Sequence, residues 1–316
     1  MAEMHACKVL EPGAYTTVQD LGRYGYQEFG VPLSGVLDRF AARAANLLVG
    51  NPEDAAVLEM TFLGPRLEFS SPGLVAVCGA EMPLLLNGEP RRTWSAFAVR
   101  PGDVLAVKPA AAGLRGYLAL SGGIAVPAVM NSRSTYVAAR LGGLEGRALE
   151  KGDLLPRGEA ASLPPERELP PELRPALERE VVLHALPGPQ DDYFDQGLEV
   201  FFGSRFKVSA KADRMGYRLE GPRVELKQGV PRSIISEPSL PGAVQIPADA
   251  QPIVLLVEQT VGGYAKIATV VTPDLDRLAQ ARPGDGVRFE RVDLEGAHRL
   301  AREYAKRLQR LRAALA

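Results

Sequence analysis

Cysteine and histidine are too scarce to build a metal centre or a disulfide framework. The 316 residues hold two cysteines, Cys7 and Cys78, and three histidines, His5, His184 and His298, far apart in the chain. That excludes a Cys-rich zinc site and a stapled secreted scaffold, and no metal site is expected. No apolar run approaches the roughly 18 to 20 residues of a membrane-spanning helix, and the N-terminus shows no signal-peptide pattern. Met1 and Met4 are both candidate starts. A formal net charge of −1 offers nothing to nucleic acid or anionic lipid, so a cytoplasmic location is expected by elimination. The phosphate loop, the G-x-G-x-x-G turn, H-E-x-x-H and G-x-S-x-G are missing too. Any chemistry must come from carboxylates, Lys, Arg, hydroxyls and backbone amides. Lysine itself is sparse, since most of the 37 basic residues are Arg, so a Lys inside an apolar stretch stands out.

What is plentiful is Gly (32) and Pro (26), which punctuate short apolar runs. Leu74–Cys78, Val104–Val107, Tyr117–Leu120, Val181–Leu183, Ile253–Val257 and Ile267–Val271 are Val/Ile/Leu-rich and bounded by turn residues, the signature of strands. Asn87-Gly88 marks a type I′ hairpin. The expected class is mainly β with few helices. One helix is predicted after Asp38, ending at Gly50, with Phe40, Ala44, Leu47 and Leu48 on one face. Another occupies the C-terminus, capped by Asp293 and spacing Leu300, Tyr304, Leu308, Leu311 and Leu315 helically. Residues 156–180 mix six prolines with charge, a composition that cannot pack a core and predicts an interdomain linker or a short surface excursion. It divides the chain into an N-terminal β domain, 1–155, and a C-terminal β domain with its helix, 181–316.

The halves echo one another. Gly64-Pro65-Arg66-Leu67-Glu68-Phe69 resembles Gly221-Pro222-Arg223-Val224-Glu225-Leu226, and Arg100-Pro101-Gly102-Asp103 repeats as Arg282-Pro283-Gly284-Asp285. A duplicated β domain is the expectation.

Four stretches carry chemistry-bearing residues. Thr16–Asp38 is a long Gly-rich loop with Asp20, Arg23, Ser34 and Asp38; Asp38 either caps the helix or faces a ligand. Asn131–Tyr136 sets Arg133 between Ser132 and Ser134, suited to a carboxylate or phosphate, or simply a polar surface loop. Gly188–Phe194 places Gln190 and the adjacent carboxylates Asp191 and Asp192 after a strand, where they form an acid/base pair or cap a helix. Glu258–Thr269 puts Gly262, Gly263, Tyr264 and Lys266 at a turn between strands. Lys266 either reaches out to water or supplies a fixed positive charge to an oxyanion.

Together, VQDLGRYG, GVPLSG followed by Asp38, GPQDDYF, DRMGYRLEGP and GGYAKIATV resemble the family that includes the C subunit of bacterial 5-oxoprolinase, KipA and the C-terminal half of the urea carboxylase carboxyltransferase domain, formerly called allophanate hydrolase subunit 2. The resemblance runs from about residue 8 to 300; Asn131, Val261 and Ala265 stand where Gly, Thr and Pro are usual. It implies two cyclophilin-like β-barrel domains. It also implies partners, a KipI-like B subunit and an A subunit, in a complex open to higher-order assembly, and a small cyclic amide or urea-like substrate. By resemblance, Asp38 and Lys266 are catalytic. Arg23, Ser34, Arg133, Ser134, Gln190, Asp191, Arg214, Gly262, Gly263 and Tyr264 are the expected substrate-binding residues. ATP would bind by an unrecognised mode or on a partner. Biotin, for which the chain has no Met-Lys-Met acceptor, would arrive on a separate carrier. Three functions stay open: the C subunit of an ATP-dependent 5-oxoprolinase, a biotin-dependent carboxyltransferase half, and a non-catalytic KipA-like regulator.

Overall fold

A computed structural model describes residues 5–160 and 163–316. The candidate starts Met1 and Met4, and Ala161 and Ser162 of the Pro-rich segment, lie outside the described residues. The chain is mainly β, with four α-helices among the described residues: α1 (Arg39–Leu48), α2 (Gln196–Gly203), α3 (Leu275–Leu278) and α4 (Leu294–Ala314). None is long and apolar enough to cross a membrane. Two compact units are present: residues 1–24, 34–177 and 307–316, and residues 25–33 and 178–306.

The first unit is built from two sheets. Six strands run in the order Leu154–Pro156, His5–Glu11, Arg66–Phe69, Val104–Val107, Leu84–Leu86, Glu89–Arg91. Five more run Tyr15–Gln19, Val57–Thr61, Ala112–Leu120, Gly73–Glu81, Ala96–Val99. Their alternating apolar faces form the core, Val9, Leu67 and Leu105 from one sheet meeting Leu58, Val77 and Leu118 from the other. Helix α1 lies on the Gly73–Glu81 and Ala112–Leu120 strands and buries Phe40, Ala44 and Leu48, while Gly50 leaves it at φ +79°. At the Asn87-Gly88 hairpin both residues have positive φ, +53° and +88°, the type I′ geometry that matches strand twist.

In the second unit seven strands close a barrel in the order Glu180–Pro187, Lys266–Val270, Ala243–Gln245, Ile253–Leu255, Gly216–Glu220, Arg205–Val208, Gly286–Arg291. The seam is a parallel pairing of the last strand with the first. Stacked Phe201 and Phe289, 4.2 Å between centroids, fix α2 to the barrel. A separate two-stranded ribbon pairs Glu237–Pro238 with Val261–Gly262.

Two compositional expectations need correction. The Pro-rich segment does pack: Leu169 is fully buried and its amide donates to the Trp94 carbonyl, because one leucine among the prolines suffices to anchor it. The Gly64–Phe69 echo is not structural either, since Arg66–Phe69 is a strand and residues 223–226 are not. The other echo is structural, and it occurs three times. At Gly102-Asp103, Gly152-Asp153 and Gly284-Asp285 the glycine has φ +87°, +98° and +90°. The aspartate Oδ2 accepts the amide three residues back, from Arg100, Glu150 and Arg282 at 2.7, 2.7 and 2.9 Å. Gly and Asp then exchange backbone hydrogen bonds with Phe69, Val9 and Val208 respectively. The counterpart of Arg66–Phe69 by this pairing is Arg205–Val208.

Candidate functional site

Within the first unit, the Gly-rich loop and the Ser-Arg-Ser loop form one network centred on Asp20. Its Oδ1 accepts from Gly22 N (2.9 Å), Ser132 Oγ (2.7 Å) and Ser134 Oγ (2.5 Å), and its Oδ2 from Arg133 N (2.5 Å). Arg23 is completely buried, its Nε on the Val129 carbonyl (3.0 Å) and its Nη2 on the Ser134 carbonyl (2.8 Å). Burial pulls its pKa down, and the Asp20 charge opposes that shift. Arg23 Nη1 and the Oγ of Ser34 are buried without hydrogen-bond partners. Ser34 has φ +52°, and the next residue, Gly35 (φ +87°), presses so near Gly22 that a Cβ would lie 2.8 Å from its Cα. Arg133 turns its Nε to the Val126 carbonyl and lines a cleft of about 390 Å³ with Asn51, Asp54 and Gly122.

Asp38 takes the cap role: its Oδ1 accepts from Ala41 N at 2.9 Å. Its own amide donates to Tyr117 Oη (2.8 Å), which donates to Glu59 Oε2 (2.9 Å), also bonded by Leu37 N. Burial first, then the charges of Glu59 and Asp38, hold the Tyr117 pKa well above the phenol range.

The second unit gathers Lys266, Gln190 and Gly262 around a residue the sequence did not flag, Glu237. Lys266 starts its strand yet is only 4% exposed. Its Nζ donates to Glu237 Oε1 at 2.6 Å, the same oxygen that accepts Gln190 Nε2 at 3.1 Å; the Gln190 Oε1 in turn accepts Lys266 N at 3.0 Å. The Lys266 ammonium, then Gln190, hold the Glu237 carboxyl below the usual range. Gly262 lies in the ribbon over Gln245, and a Cβ there would collide with Gln245 Nε2. Gly263 accepts Ile234 N through its carbonyl. Tyr264, with Ile235, Leu240 and Val261, is an exposed apolar residue of this region.

Two other expected residues lie in different surroundings. Asp191 opens a short 3₁₀ turn, Asp191–Tyr193, with its amide on the Gly188 carbonyl. Arg214 is buried against Glu258, Nε to Oε1 at 2.5 Å. Sequence reasoning missed Glu237, Gln245 and Ser239. No local pattern marks them: Ser-Glu-Pro-Ser-Leu-Pro reads as a turn, Glu237 comes to Lys266 through the ribbon's pairing with Gly262, and Gln245 through its barrel register opposite Lys266. The Nε2 of Gln245 and the Oγ of Ser239 are buried and unpartnered, each orphan costing roughly 1–3 kcal/mol. No group of three or more potential metal ligands occurs among the described residues. The arrangement presents a buried ammonium, an exposed carboxylate and an orphan amide donor, suited to binding an oxygen that gains negative charge.

The family described as "Carboxyltransferase domain, subdomain A and B" matches residues 29–291. The C subunit of the Escherichia coli (strain K12) 5-oxoprolinase is 38% identical over 314 residues, covering 96% of this chain and 97% of that one. Its counterpart in Haemophilus influenzae is 36% identical over 306 residues with the same coverage. The crystal structure of the K. lactis urea amidolyase superposes with a TM-score of 0.92 at 31% identity, over 98% of this chain and 20% of that one. The chain thus spans about a fifth of the amidolyase and nearly all of the oxoprolinase C subunits, and it belongs to the carboxyltransferase family of subdomains A and B.

Proposed function

We propose that this chain is the C subunit of an ATP-dependent 5-oxoprolinase, opening 5-oxoproline to L-glutamate together with A and B subunits. The observation that carries the reading is the end-to-end match with two 5-oxoprolinase C subunits, at 97% of their length. The ring C–N bond breaks, water supplies a hydroxyl to the carbonyl carbon and a hydrogen to the nitrogen, and ATP cleavage drives the step. ATP is assigned to a partner subunit. Lys266 supplies the positive charge to the lactam carbonyl oxygen as that oxygen gains negative charge. Gln190 and Glu237 hold the lysine in place by the bonds above. A fixed, largely desolvated ammonium needs little reorganisation at the moment of reaction.

A second reading, a half of a biotin-dependent carboxyltransferase acting on a urea-like or amide substrate, draws support from the 0.92 superposition on the amidolyase. Biotin would then come on a separate carrier. Its ureido oxygen is an acceptor that suits the Lys266 ammonium, so the residues present fit the group.

The test is ATP-dependent glutamate release from 5-oxoproline by this chain mixed with A and B subunits. Activity that vanishes when this chain is omitted supports the oxoprolinase reading. A well-assembled complex without activity, and biotin-dependent carboxyl transfer in its place, moves the assignment to the second.

A further inference from the structure

Gln245 ends the Ala243–Gln245 strand and stands directly opposite Lys266 in antiparallel pairing, beside a register shift. Directly opposed residues send their side chains to the same face, with Cβ atoms about 5 Å apart. Both are buried. The ribbon reaches both: Glu237 takes the Lys266 ammonium, and its register partner Gly262 presses on the Gln245 amide. Lys266 has its counter-charge, but Gln245 Nε2 has no partner. A leucine or methionine would fill this position without an orphan donor. The ribbon itself is short, with two residues in each strand, and rimmed by exposed Ile235, Leu240 and Val261.

We infer that the Gln245 carboxamide, beside Lys266, reads the amide edge of a cyclic ligand, Nε2 donating to the ring carbonyl oxygen and Oε1 accepting from the adjacent ring N–H, once the ribbon lifts. A primary carboxamide carries one donor and one acceptor side by side. A lactam or cyclic urea, locked cis, shows the complementary acceptor and donor on one edge. An open-chain secondary amide is trans and points the two in opposite directions. Gln245 therefore selects small rings over peptides, and a carboxylate, which carries no donor on that edge, cannot substitute. Gly262 is part of the device, because any side chain there would occupy the position of the amide nitrogen. The inference rests on the Lys266 site of the oxoprolinase reading, but lactams and cyclic ureas share this edge.

The test is titration of the full chain, by calorimetry and ligand-observed NMR, with 5-oxoproline, 2-imidazolidinone, proline and N-methylacetamide. The wild type should bind the two cyclic amides and discriminate against the other two. Gln245→Met and Gln245→Glu should weaken the cyclic amides about tenfold or more, the equivalent of about 1.4 kcal/mol. Binding of proline and N-methylacetamide should not change. Gln245→Met removes an orphan donor and should melt no lower than wild type, so loss of binding cannot be laid to unfolding. Cyclic-amide binding unchanged in a folded Gln245→Met chain, or absent from the wild type, overturns the inference. Failure of the oxoprolinase reading looks different: no glutamate from the complex, with ring binding still dependent on Gln245.

Discussion

The Nζ of Lys266, buried at the start of a barrel strand, donates at 2.6 Å to a Glu237 carboxylate whose side chain is 41% exposed. A buried lysine carries a desolvation cost that a partner must offset. Here the partner stays in reach of solvent, so the ammonium is paired at a point where another oxygen ligand can replace the carboxylate.

Removing that partner has a signed pH dependence. The Glu237 carboxyl is held below its ordinary range by Lys266 and then Gln190, so its contribution is present above the unfolded-state pKa and is lost as pH falls through the lower folded value. Glu237→Gln should therefore destabilise the chain at neutral pH, by about 1 kcal/mol or less given the exposure. The gap to wild type should close on acidification. Urea unfolding of both proteins across the acid range checks it; a gap that widens toward low pH contradicts it.

Asp20 organises the first unit's loop network through four donors on one carboxylate. Asp20→Ala orphans them together and should cost about 2–4 kcal/mol. Hydrogen exchange should show lost protection at Gly22, Arg133 and Ser134, with the Asn87-Gly88 hairpin unaffected.

Gly35 has φ +87°, and its added Cβ would meet Gly22 backbone atoms at 2.8 Å. Gly35→Ala should lower stability by about 2 kcal/mol or more, since both the backbone conformation and the space are wrong for a side chain. Gly88→Ala, also at positive φ but with nothing within 4 Å, is the control and should cost about 1 kcal/mol. Paired thermal melts separate the two terms.

What could be read without the structure was what depends on neighbours in sequence. The Asp38 cap and Gly50 stop of α1, the Asp293 cap of α4, whose Oδ1 accepts Gly296 N, and the Asn87-Gly88 turn are local signals and stand where expected. The Lys266 stretch was visible through the scarcity of lysine. Its partner was not, because Glu237 lies 29 positions away in a Pro-flanked turn and meets Lys266 only through register. The link from Asp20 to Ser134 spans 114 positions. The third Gly-Asp turn escaped because Lys151 replaces the proline that made the other two recognisable, although the hydrogen bonding needs only the Gly and the Asp.

The most direct measurement is glutamate release by the A–B–C complex carrying Lys266→Met, with assembly checked by size exclusion. The account predicts an intact complex whose kcat falls about 10²–10³-fold, the usual loss when an oxyanion donor is removed. An assembled complex that turns over 5-oxoproline at the wild-type rate would contradict it.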